Sequence, residues 1–197
     1  MRTVIARFFD YSLDGVLAEE GTAFFDFCRE LPDDQAHIDR TRDFYQNAAL
    51  HIMGRKHYQD AAQYFSEAED NPYADAMNAA RKVVFSHTIQ TADWADTTVA
   101  GGEIGPELER LKLEGDGYIV ANGGVGFWRS LIRHDLIDEY RISVFPYVAA
   151  GKGTRLFDDL EQPPALELAS TIAFDNGITE LAYRRVRTSK PLAGLGK

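Results

Sequence analysis

The sequence is short of cysteine, of positive charge and of long apolar runs, and each shortage argues against a class of protein. Cys28 is the only cysteine, so no disulfide can form within the chain, which suits a reducing cytoplasm. Against 31 Asp and Glu stand 21 Lys and Arg, a formal net charge of -10. A general nucleic-acid binder needs a basic face to neutralise phosphates, and adsorption to an anionic membrane needs the same, so neither partner is expected. No uninterrupted apolar stretch approaches the roughly 20 residues that span a bilayer. The opening "RTVIARFFDYSLDG" meets Asp10 and Asp14 too soon, and lacks the small-residue cleavage pattern, for a secretory signal. The 5 histidines form neither H-E-x-x-H nor a paired Cys/His pattern, so no metal site is expected. No G-x-S-x-G elbow accompanies the serines.

What is present suffices for a core. Hydrophobic residues make up 45% of 197 positions, enough for one compact domain, expected over residues 1–187 with a small, glycine-rich tail at 188–197 outside it. "TVIARFF" (3–9) reads as a buried strand, and Asp14-Gly15 supplies a turn. Apolar residues recur at helical spacing from Gly21 to Asn47, divided into two helices by Pro32. "AALHIM" is a second strand and 54–68 a helix; a short helix at 74–80 leads into "KVVFS", a third strand. "TTVAG" is a brief fourth strand, and 103–114 a helix with Pro106 near its first turn, where proline is tolerated. "GYIVAN" is a fifth strand, followed by a helix at 124–136. The rhythm then changes: "RISVFPYV" (141–148) is extended, and 165–187 is two strands joined through Asp175-Asn176-Gly177, a strong hairpin signal. Strand–helix alternation followed by a hairpin implies an α/β fold, a central mixed, mostly parallel sheet in a three-layer sandwich with an antiparallel C-terminal hairpin.

Five stretches can carry chemistry. In "YIVANGGVGFWRSLI" (118–132) a buried strand runs through Gly123-Gly124 into an amphipathic helix. Free helix N–H groups and missing β-carbons suit an anion there, though the same glycines also serve as a plain strand–helix joint. The G-G-x-G spacing and the lack of an acid ending the next strand speak against a standard dinucleotide-binding Rossmann unit. "MGRKHY" (53–58) repeats the geometry with Arg55 and Lys56 in a first helical turn, where cations oppose the macrodipole at about 0.3–1 kcal/mol each. A bound anion would make that misfit an attraction. "VVFSHT" ends a strand at Ser86 and His87, which can bond a ribose or phosphate or simply cap a turn. Asp14 in "YSLDG" is a proton donor, a substrate ligand or an ordinary turn residue. "AAGKGTRLF" carries Lys152 and Arg155 but lacks P-loop spacing.

Taken in order, "YSLDGVLA", "MGRKHY", "KVVFSHT", "YIVANGGVGFWRSLI", "DEYRISVFPYVAAGKGTRLF" and the closing hairpin resemble the dihydrofolate-reductase-like group. That group includes the C-terminal reductase domain of the bacterial riboflavin-biosynthesis deaminase-reductase. The resemblance covers most of residues 1–186. It implies NADPH as cofactor, a small-molecule substrate and frequently a homodimer. It implies that Gly54, Arg55 and Lys56 meet the adenosine phosphate end of NADPH and that Ser86 and His87 lie beside the adenosine ribose. Gly123, Gly124, Val125, Gly126 and Phe127 would cradle the pyrophosphate, and Ser12, Asp14 and Gly15 would lie near nicotinamide and substrate, with Asp14 as candidate catalytic acid. Two departures stand out: His57 replaces a frequent threonine, and His87 a frequent arginine. The expected activity is reduction of an oxidised heterocycle or carbonyl; the riboflavin-pathway substrate is a pyrimidine phosphate. The alternative is a non-catalytic nucleotide-, flavin- or pterin-binding module on the same fold.

Overall fold

The computed structural model describes residues 1–68, 70–158 and 160–187; the expected tail at 188–197 lies outside them. The eight strands are β1 (Thr3–Tyr11), β2 (Leu50–Gly54), β3 (Lys82–Phe85), β4 (Thr97–Ala100), β5 (Tyr118–Gly123), β6 (Glu139–Val144), β7 (Leu166–Ala173) and β8 (Thr179–Arg185). They form one sheet in the order β4-β3-β2-β5-β1-β6-β8-β7. The first six are mutually parallel, and β8 runs antiparallel to both β6 and β7. The expected mixed sheet with its C-terminal hairpin is therefore the observed one. The extended run 141–148 is shorter than its pattern suggests: β6 stops at Val144, just ahead of Pro146, which cannot donate to a ladder.

The helices are α1 (Ala23–Glu30), α2 (Gln35–Gln46), α3 (Arg55–Glu67), α4 (Ala74–Ala79), α5 (Ile104–Leu113) and α6 (Val125–Arg133). Thr22 and Asp34 cap α1 and α2 by accepting the Phe25 and His37 N–H groups. Strand alternation sends Val4, Ala6 and Phe8 to the face covered by α5 and α6, where Leu108, Leu111, Trp128 and Leu131 meet them. Ile5 faces the opposite layer of Tyr45, Tyr58 and Met77 from α2, α3 and α4. Buried strands with both faces covered explain the near-continuous apolar runs of β1, β2 and β5. The chain leaves β1 toward one layer and β5 toward the other, which opens a crevice at the carboxyl ends of these neighbouring strands.

Within β1 the alternation breaks at a consequential place. The β1–β6 register shifts between Phe8 and Tyr11, and Asp10 adopts φ 53°, a left-handed conformation that Asp tolerates better than most residues. The bulge returns Tyr11 to the Phe8 face and turns Asp10 toward the side of Phe9 and Tyr45.

Candidate active site

Two helices begin on glycine at the carboxyl edge of the sheet. Gly54 precedes α3 and Gly124 precedes α6, and neither start has a side-chain cap. The first-turn N–H groups are therefore left to an outside acceptor. The two starts touch: a β-carbon on Gly54 would sit 2.9 Å from the Phe127 β-carbon, closer than real side chains approach. Gly124 has φ 81°, a conformation that favours glycine. Together they floor a cleft of about 670 Å³ whose lining includes Arg55, Lys56, Gly126 and Trp128.

The cations there are not equivalent. Lys56 Nζ bonds Asp60 Oδ2 at 2.9 Å, one turn along α3, which offsets its conflict with the helix dipole. Arg55 reaches only the neutral Gln59, at 3.4 Å, and has no acidic partner among the described residues. His57 lies between the cleft and the interior; burial holds its pKa below the usual range, Lys56 adding to this and Asp60 opposing it.

Behind the cleft is a second cavity of about 360 Å³, lined by Tyr45, Phe65, Tyr73 and Met77 among others. Phe9, Asp10, His57 and Asn122 line both spaces. Asp10 is the ionisable centre of this junction. Burial pushes its carboxyl up to about 6, with the nearby Arg7 opposing. Arg7 itself is fully buried, donating to Glu180 at 2.6 Å and Thr41 at 2.8 Å.

Asn122 is 5% exposed, and its Nδ2 donates to His51 Nδ1 at 2.7 Å. His51 Nε2 contacts the Tyr45 carbonyl at 3.1 Å; a carbonyl only accepts, so Nε2 carries the proton and Nδ1 is the acceptor. Burial lowers the His51 pKa to about 4, which keeps the ring neutral. This relay fixes the Asn122 amide and leaves Oδ1 buried without a partner among the described residues. His37 Nε2, at the cavity's other side, is likewise buried without one. Orphaned polar atoms in one cavity are what a polar ligand would satisfy.

The structure gathers Gly54, Arg55, Lys56, Gly124, Val125, Gly126 and Phe127 around the cleft, with Gly123 beneath, packed on Trp128 and His57. It does not bring Ser86 and His87 into it. They lie one strand further out, past Phe85, which is in register with Gly54, and the Ser86 hydroxyl accepts the Thr88 and Ile89 N–H groups as a turn cap. The proton-donor role expected of Asp14 needs correction. Its carboxylate accepts the Ala149 and Gly151 N–H groups and the Ser12 hydroxyl. These bonds pull it down to about 2, so it carries no proton to give near neutrality. Asp14, Ser12 and Gly15 line neither cavity; Leu17, Ala18 and Glu19 of the same loop line the cleft instead.

Asp10 and Asn122 were missed by sequence reasoning. The available signals were an acid within the aromatic run "RFFDY" and a polar residue ending an apolar strand. Among the described residues no group of three or more His, Cys, Asp or Glu side chains is arranged to hold a metal ion, and no helix is long and apolar enough to cross a membrane.

The fold is that of the dihydrofolate-reductase-like class. Dihydrofolate reductase from Enterococcus faecalis, complexed with NADP(H), superposes with a TM-score of 0.60 at 12% identity, over 93% of this chain and 96% of that one. A putative riboflavin biosynthesis protein from Shewanella sp. PV-4 does so with a TM-score of 0.71 at 22% identity, over 94% and 99%. The model of the RibD C-terminal domain matches residues 2–179, and the chain belongs to that family. The uncharacterized protein YyaP of Bacillus subtilis (strain 168) is 28% identical over 145 residues, 72% of this chain and 76% of its own.

Proposed function

We propose that the protein is an NADPH-dependent reductase of a small oxidised heterocycle or carbonyl. The observation that carries this is the pair of uncapped, touching helix starts with Arg55 beside them, opening onto a cleft that shares a wall with a polar-aromatic cavity. Glycine positions along the cleft leave room for backbone N–H groups to approach a pyrophosphate, and Arg55, with no acidic partner among the described residues, supplies a cation for a further phosphate. When bound, NADPH supplies the hydride. The chain's part is to orient and to exclude water: Phe9 and His57 border the junction where the reacting rings would meet, and Asn122, held by His51, presents an acceptor to the substrate. Reduction of C=N or C=O leaves charge on the heteroatom, and Asp10, protonated to about pH 6, stands at the junction where a proton is needed.

A homodimer is part of this reading. The outer edge of β7 pairs with no strand among the described residues, and Leu166 and Leu168 on it are exposed; a second copy would satisfy both edge and side chains. The test of function is loss of dihydronicotinamide absorbance across a panel of heterocycles and carbonyls. Saturable NADPH binding with no turnover across the panel would favour the non-catalytic module instead.

A further inference from the structure

Three consecutive side chains able to carry positive charge, Arg55, Lys56 and His57, occupy the first turn of α3, and that turn holds no acid. A cation there opposes the helix dipole. Each side chain meets the conflict differently. Lys56 is matched by Asp60 at 2.9 Å, and Arg55 extends exposed beside the cleft. His57 meets it by staying neutral: burial holds the ring below the usual histidine range, with Asp60 pulling it up and Lys56 down.

The imidazole sits against the glycine turn that opens α6. A β-carbon on Gly123 would lie 3.3 Å from its Nδ1, and one on Gly124 would lie 3.7 Å from the His57 β-carbon. That turn and the start of α3 supply the uncapped N–H groups of the cleft. An anion drawn to them arrives beside this ring. The surrounding elements offer few competing charges. Among the described residues, β5 and α6 present no ionisable side chain to the cleft, β1 contributes Asp10, and the loop after β1 contributes Glu19. Glu19 accepts the Thr154 hydroxyl at 2.8 Å, and Asp10 keeps its proton to about pH 6. The inner cavity, which His57 also lines, adds Asp33, Asp34 and His37. Of all these groups, Asp60 and Lys56 are the ones that bear on the ring.

We infer that His57 takes up a proton as the cofactor's pyrophosphate seats on the two helix starts, so that dinucleotide binding and protonation of this imidazole favour each other. The proton adds a second N–H donor and a positive charge beside the anion. Lys56 and the helix dipole, which disfavour the imidazolium in the free protein, are then outweighed. The bound form holds the proton more tightly than the free form. Cofactor affinity is therefore highest below the free midpoint, falls as pH rises between the free and bound midpoints, and levels off above the bound one. The inference rests on the reductase reading for the identity of the anion, and its test separates the two.

The test is NMR titration of the histidine ring resonances in the intact protein from about pH 5 to 9, free and saturated with NADPH or with inorganic pyrophosphate. Of the 5 histidines, His57 is identified by the resonance lost in His57→Gln, whose fold circular dichroism checks. Its midpoint should move up by about one pH unit or more when the anion binds. Calorimetry reads the same linkage from the ligand's side. From about pH 8 to 6, wild-type affinity for NADPH should gain at least about three-fold more than that of His57→Gln, which takes no proton. Subtracting the variant's own change removes the titration of the cofactor's 2′-phosphate and of Asp10. In Asp10→Asn the rise at His57 should persist. A His57 midpoint unmoved or lowered at saturating NADPH, a rise that disappears in Asp10→Asn, an equal pH gain in His57→Gln, or binding of neither anion would each overturn the inference. A rise with pyrophosphate in a protein that NADPH does not bind would sink the cofactor reading and leave the proton coupling standing.

Discussion

A carboxyl group held among Phe9, Tyr45 and the back of the cleft favours its neutral form, and Asp10 accordingly keeps its proton to about pH 6, where the unfolded chain releases it near 3.8. Folding therefore takes up a proton between those values, and stability falls as pH rises through that window. Replacing Asp10 by Asn removes the ionisation. The variant should melt about 2–6 °C above wild type at neutral to alkaline pH, with the difference closing below about pH 4. A thermal series in pH checks both parts; a variant less stable than wild type at alkaline pH would contradict the assignment. Gain of stability with loss of turnover is the pattern expected where a residue is kept for function. Arg55 makes a different prediction. Arg55→Ala should weaken NADPH by about 10–100-fold and NADH far less, read by titration. Equal losses would exclude a contact with the 2′-phosphate.

Between elements, the strongest polar tie is Arg7 of β1 to Glu180 of β8, across the intervening β6. Burial pushes the Glu180 carboxyl up, but Arg7 and Arg40 outweigh it, and the net direction is down. Glu180 has the two guanidinium partners, whereas among the described residues Glu180 is the one acidic partner of Arg7, which also donates to the neutral Thr41. Glu180→Leu therefore strands a buried cation and should cost about 3–5 kcal/mol. Arg7→Met leaves Glu180 neutralised by Arg40 and should cost less. Urea denaturation of both variants checks the order, and the reverse order would contradict it. Elements themselves were largely legible in sequence: Pro32 between two helices, Asn176-Gly177 in the hairpin and the glycines before α3 and α6 all act locally. The Arg7–Glu180 pair spans 173 residues, so no local pattern announces it. Nor does alternation reveal the bulge that re-aims Asp10. Asp14 shows the converse: its turn is local and readable, but the Ala149 and Gly151 N–H groups that engage its carboxylate come from a distant loop.

At the scale of the whole molecule, the parallel strands and their crossovers put every glycine-led helix start on one edge, and the C-terminal hairpin extends the sheet away from it. The cleft lies at β2 and β5, and the edge of β7 that the proposed dimer would use lies at the far side of the sheet. Leu168→Lys should convert a dimer of 22.1 kDa chains to monomers in light-scattering chromatography while leaving NADPH affinity intact; wild-type protein eluting as a monomer would contradict the β7 interface. The central claim, that the paired helix starts hold NADPH, has a built-in reporter. Trp128 lines the cleft, and its indole N–H is fixed to the Ala121 carbonyl at 2.9 Å. Titration with NADPH should quench Trp128 fluorescence saturably, with energy transferred to the dihydronicotinamide, and Arg55→Ala should move the midpoint to higher concentration. The absence of any saturable change in the wild-type protein would contradict the account.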